Sequence, residues 1–148
     1  MQTTLLAGKK VRDEHLSLLE ASGQLDRSLD RLGCYSEVYF NLGAADEVRY
    51  SGRQLIEQLP RHCRHEETSL LNRVSDVSPE LTEFCRQMKA EHVALLERLA
   101  DLRAALEDFD KAEDLCEAVT HLKQEGKELT HYLRCHVARE EEELSGFL

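Results

Sequence analysis

Apolar residues recur along this chain in steps of four and three, the repeat of one face of an α-helix. In a first segment, from about Lys9 to Arg31, Val11, His15, Leu18, Ser22, Leu25, Leu29 and Leu32 form one such stripe. Gly23 weakens this helix by about 1 kcal/mol relative to alanine without shifting its period. Gly33 is a natural stop, unless Tyr35 to Phe40 prolong the helix. A connection at about Asn41 to Ala45 leads to a second stripe of Val48, Leu55, Leu59, His62, Glu66 and Leu70. Its start is set either by Asp46 or by a capping box of Ser51 with Gln54. Pro60 has no N–H for the carbonyl of Ile56, which predicts a kink just before His62 in a single helix.

Ser78-Pro79-Glu80 supplies an N-cap, a proline at the first helical position and an acid in the first turn. The third stripe then runs through Leu81, Cys85, Met88, His92, Leu95, Leu99, Leu102 and Leu106. Asp110, with Glu113 three positions on, predicts the cap of a fourth helix. That helix carries Leu115, Val119, Leu122, Gly126, Leu129, Leu133, His136, Glu140 and Leu144. Four long amphipathic helices with short connections predict an all-α fold, an antiparallel up-down-up-down four-helix bundle. A single domain over residues 1–148 is the expectation, long enough to bury most of its apolar surface.

The chain also repeats itself. Glu14 to Glu20 matches Glu91 to Glu97 at five of seven positions. His62 with Glu66-Glu67 recurs in the second half as His136 with Glu140-Glu141, at nearly the same separation. Two copies of a helical hairpin packed about a pseudo-twofold axis would each offer one histidine from the first helix and a His/Glu pair from the second. At a rise of about 1.5 Å per residue, all four helices deliver these residues to the same end of the bundle.

Composition narrows what such a bundle can do. A formal charge of −10 argues against nucleic acid and against an anionic membrane as partner, and no segment specifies a protein partner. There is no apolar run of about 18 residues and no signal-peptide core, so a soluble, cytoplasmic protein is expected. Cys34, Cys63, Cys85, Cys116 and Cys135 are odd in number and form no CxxC pair, which fits reduced thiols in a cytosol.

The candidate chemistry lies in His15, His62, Glu66, His92, His136 and Glu140. A histidine and a glutamate four apart share a helix face and can reach one metal ion, or two if the carboxylate bridges. Burying two glutamates with no cation would cost several kcal/mol each or force them neutral. Four nitrogens and two carboxylates without sulfur favour iron or manganese in a dinuclear site over zinc, which usually takes four ligands. Each metal would take two histidines and share both glutamates, leaving room for a small exogenous ligand.

On these residues the chain resembles the hemerythrin-like, or HHE cation-binding, family over nearly its whole length. The resemblance implies a carboxylate-bridged non-haem centre of two iron ions, oxo- or hydroxo-bridged. Such a centre binds or senses dioxygen, nitric oxide or peroxide. It also sets this chain apart from the family's oxygen carriers. They have a second histidine four positions away on the third helix, where Met88 and Leu96 stand here, and their fourth-helix histidine and carboxylate are five apart rather than four. Two other readings remain: an oxidoreductase acting on peroxide or nitric oxide, and a metal-free helical interaction module.

Further residues have plainer expectations. His65 could replace a ligand or lie behind one. His121 and His131 fall off the stripe and read as solvated, as do Glu67 and Glu141 to Glu143. Cys63 and Cys135 each neighbour a candidate ligand about 100° round the helix. They read as small buried hydrophobes, with a redox-responsive thiol as the sharper alternative. Cys85 should pack in the core.

Overall fold

The computed structural model of the protein describes residues 2–33 and 42–148. The four stripes become four long helices: α1 (Gln2–Arg31), α2 (Leu42–Glu66), α3 (Pro79–Lys111) and α4 (Leu115–Glu143). Helix α1 packs on α2 and α4, and α3 packs on the same two. Arg31 at the end of α1 pairs with Glu47 near the start of α2, while Glu14 near the start of α1 reaches His62 near the end of α2. Successive helices therefore run antiparallel, and no strand occurs among the described residues. No helix among them is long and apolar enough to cross a membrane.

The stripes are the buried faces. Every stripe position expected for α1 and α2 is buried, and in α3 and α4 only Leu81 and Leu115, at the helix starts, are half-buried. Gly126 serves close packing: a Cβ there would lie 2.5 Å from Leu29 Cδ1 on α1.

Helix ends depart from expectation where the sequence offers competing signals. Ser78 caps α3 as expected, accepting from the Leu81 amide at 3.1 Å. Asp110 does not cap α4. It lies inside α3 and accepts from Arg49 Nε at 2.8 Å, while Asp114 caps α4 by accepting from the Glu117 amide at 3.2 Å. Phe109, buried beside Asp110, is what keeps that last turn of α3 on the core. Helix α1 begins well before Lys9, and α2 begins at Leu42, so Leu42 to Ala45 are helical rather than connecting, with Ala44 and Ala45 buried. The proposed prolongation over Tyr35 to Phe40, and Asn41, lie outside the described residues.

Helix α2 runs as one helix through Pro60. It leaves α geometry further on, in a π-helical turn at Glu67–Leu71, before a last α turn at Asn72–Val74. A π turn widens the ring of backbone hydrogen bonds and is commonest near functional sites. Here Thr68 Oγ1 and Ser69 Oγ both donate to the carbonyl of His65, at 3.2 and 2.6 Å. Across this turn Leu70, Leu71 and Val74 are buried and Arg73 is exposed.

The core comes in two parts. The larger fills most of the bundle and includes Leu18, Leu59, Leu95 and Leu133. The smaller holds Val11, Leu70, Leu71, Val74, Phe84, Cys85, Met88 and Leu144, with Phe147 and Leu148 packed against it. On every helix the candidate site residues fall between a residue of one cluster and a residue of the other.

Candidate metal centre

His15, His62, Glu66, His92, His136 and Glu140 are all buried, the most exposed reaching 2 %. The bundle gathers them into two overlapping groups: His15, His62, Glu66 and Glu140, and Glu66, His92, His136 and Glu140. Within each group one nitrogen or oxygen from every residue lies within 4.8 Å of the others, close enough to surround one cation.

The two carboxylates divide their oxygens between the groups. Glu66 Oε2 lies 3.0 Å from His62 Nε2 and 3.3 Å from His15 Nε2, and its Oε1 lies 3.1 Å from His92 Nε2. Glu140 Oε1 lies 2.9 Å from His136 Nε2 and 3.5 Å from His92 Nε2, and its Oε2 lies 3.1 Å from His15 Nε2. All four imidazoles thus turn the same nitrogen, Nε2, towards a pair of carboxylates that face both ways.

Each ring also turns its Nδ1 towards an outer carboxylate. Glu14 Oε1 is 3.3 Å from His62 and Glu91 Oε1 is 3.0 Å from His136. Glu141 Oε1 is 3.3 Å from His15, whereas Glu67 Oε2, at 3.6 Å from His92, stays beyond hydrogen-bond distance and leaves His92 Nδ1 without a partner. At His62, His136 and His15 such a partner fixes ring orientation and favours the proton on Nδ1 once an ion takes the lone pair of Nε2. Glu67 and Glu141 were expected to be solvated; Glu141 instead bends back to hydrogen-bond the His15 ring, while Glu67, half-exposed, only approaches His92. The clue in the sequence is the repeat itself, since a glutamate precedes both His15 and His92 and follows both Glu66 and Glu140.

Without a cation, this cluster is held by protons. Burial would lower the His15 and His92 imidazoles, but Glu140 and Glu66 overcome it and raise both to about 10. Burial likewise opposes His62, which Glu14 and Glu66 raise. Burial pushes Glu66 up, yet its contacts with Glu140, His15, His62 and His92 hold it well below the carboxylate range. Burial and Glu66 push Glu140 up, and His136, His15 and His92 bring it below. Even so, His62 Nε2, His92 Nε2, His136 Nε2, Glu66 Oε1 and both Glu140 oxygens, though each within 3.5 Å of another atom of the cluster, are buried without a well-aligned hydrogen bond, and His92 Nδ1 is buried without one as well. Buried orphan atoms of this kind are costly and call for an explanation. A divalent cation in each group would satisfy the Nε2 and carboxylate atoms together, so the residues fit a metal pair.

The remaining candidates separate cleanly. His65 joins neither group; half-buried, it sets Nδ1 3.0 Å from Glu14 Oε1. His121 and His131 are exposed. Cys63 is buried, and burial with the nearby Glu66 and Glu67 pushes its thiol up, which disfavours the thiolate a redox role needs. Cys85 packs in the smaller core cluster. Cys135, expected to be buried, is exposed, with Sγ 3.8 Å from His131 Nε2. Cys34 lies outside the described residues.

Residues 7–148 match the profile of the family described as hemerythrin HHE cation binding domain. No curated protein and no solved structure matches the chain.

Proposed function

The chain belongs to the hemerythrin HHE cation-binding family, and from that premise we propose that it holds two iron ions and binds or senses dioxygen, nitric oxide or peroxide. The observation that carries this reading is the division of oxygens. Glu66 and Glu140 each offer one oxygen to the His15/His62 side and the other towards His92, as two bridging carboxylates would. Two histidines and two shared carboxylates would give each ion fewer than six protein ligands and so leave positions for a small molecule. A pair of such ions supplies redox-active Lewis-acid sites for an oxygen or nitrogen ligand.

The protein residues do the rest. Glu14, Glu91 and Glu141 hold the His62, His136 and His15 rings through Nδ1, which would leave Nε2 of each to an ion. Val11, Leu70, Met88 and Leu144 lie one turn away on one side, Leu18, Leu59, Leu95 and Leu133 on the other, all buried. These two apolar layers close the cluster off from bulk water on both sides. Manganese is the second choice of ion, because the donor set is oxygen and imidazole without sulfur.

The test is anaerobic reconstitution with ferrous iron, followed by exposure to dioxygen, nitric oxide or peroxide. New visible absorption on addition of one of these, absent in Glu66→Gln, is the expected result. A protein that takes up iron and shows no spectral response to any of the three contradicts the proposal.

A further inference from the structure

The six site residues obey the internal repeat without exception, but their surroundings do not. In the second half of the chain, Glu91 uses both oxygens: Oε1 lies 3.0 Å from His136 Nδ1 and Oε2 accepts from Arg139. The same Arg139 donates to Gln87 Oε1 at 2.5 Å, and its guanidinium lies over the Phe84 ring at 5.9 Å. Glu91, and through it His136, is clamped by a group that is itself held at three points.

In the first half, the counterparts of Arg139, Gln87 and Phe84 are His65, Lys10 and Ala7. The fork is gone. The His65 ring reaches Glu14 Oε1, the same oxygen that faces His62. A cavity of about 280 Å³ also opens here, lined by Glu14, Ser17, Leu18, Gln58, Arg61 and His62. The counterparts of Ser17, Gln58 and Arg61 are Ala94, Tyr132 and Cys135. Tyr132 packs against the main core, with Arg98 stacked over its ring at 4.9 Å.

We propose that the two metal positions are inequivalent: the His92/His136 position is held tightly through the Arg139–Glu91 clamp, and the His15/His62 position exchanges its ion through the cavity beside Glu14. This rests on the dinuclear reading above. Arg139 and Glu91 act here as positioning residues, since neither belongs to the groups that surround a cation.

The experiment loads the full chain with ferrous iron anaerobically and follows transfer to an excess of a coloured ferrous chelator. Two phases of about one equivalent each are expected, with rates about tenfold apart, the scale on which a ligand's hydrogen-bond partner alters metal retention. Arg139→His speeds the slow phase by about tenfold and leaves the fast one in place. Gln58→Tyr fills the cavity with the residue found in the other half and slows only the fast phase, without touching any ion pair. Circular dichroism and melting temperature confirm that both variants fold. Release of two equivalents in one phase overturns the inequivalence alone, as does an Arg139→His variant that changes only the fast phase or a Gln58→Tyr variant that leaves that phase unaltered. Failure to take up iron at all overturns the dinuclear reading beneath it.

Discussion

At Glu66 the two oxygens face different histidines, and the proposed pair of ions depends on both. Glu66→Gln keeps the volume of a fully buried side chain but removes the negative charge and replaces one oxygen with an amide nitrogen. Metal content should fall from about two ions per chain to below one, read by elemental analysis beside a circular-dichroism check of folding. The imidazoles give a second prediction. In the metal-free protein His15 and His92 are raised from 6.5 to about 10. A raised value means the folded state binds the proton more tightly than the unfolded one. That stabilisation is complete below pH 6.5 and is lost as pH rises through about 10. The melting temperature of the metal-free protein should therefore fall between pH 7 and about 10, and metal loading should flatten the dependence because the ion replaces the protons. All six central residues were legible in the sequence, because each sits on an apolar stripe where a polar group is conspicuous. Glu14, Glu67, Glu91 and Glu141 were not. They lie off the stripes among many other acids, and the histidine that each faces is on a different helix, so spacing along one helix does not reveal it.

Among the elements, the C-terminal turn at Ser145–Phe147 carries a sharp prediction. It lies so close to α1 that a Cβ on Gly8 would fall 1.8 Å from the Phe147 carbonyl oxygen. Gly8→Ala must displace this turn from the smaller core cluster, although alanine is the better helix former by about 1 kcal/mol. A net loss of roughly 1–3 kcal/mol is expected from urea denaturation. The caps show what a single sequence leaves open. Asp110 with Glu113 and Asp114 with Glu117 present the same signal one helical turn apart, and only the burial of Phe109 and the reach of Arg49 choose between them. Asp114→Ala should cost about 1 kcal/mol by the same measurement. The π turn was likewise illegible in advance. Its hydroxyl pair, Thr68 and Ser69, is an ordinary sequence, and nothing in its spacing marks the change of helix type.

For the whole molecule, the repeat is the feature that made the fold and the site readable together. Two hairpins that each carry half of the buried histidines and glutamates can gather them only by meeting face to face, and α1 to α4 close around the cluster in that way. The repeat fails where Arg139 stands opposite His65 and Tyr132 opposite Gln58, so the two halves of the centre have different surroundings. The central claim is that Glu66 and Glu140 bridge two irons. Mössbauer spectroscopy of the protein reconstituted with ⁵⁷Fe and oxidised in air tests it most directly. About two irons per chain in an antiferromagnetically coupled, diamagnetic diferric pair is the predicted result. Uncoupled high-spin ferric ions, or less than about one iron per chain, would contradict it.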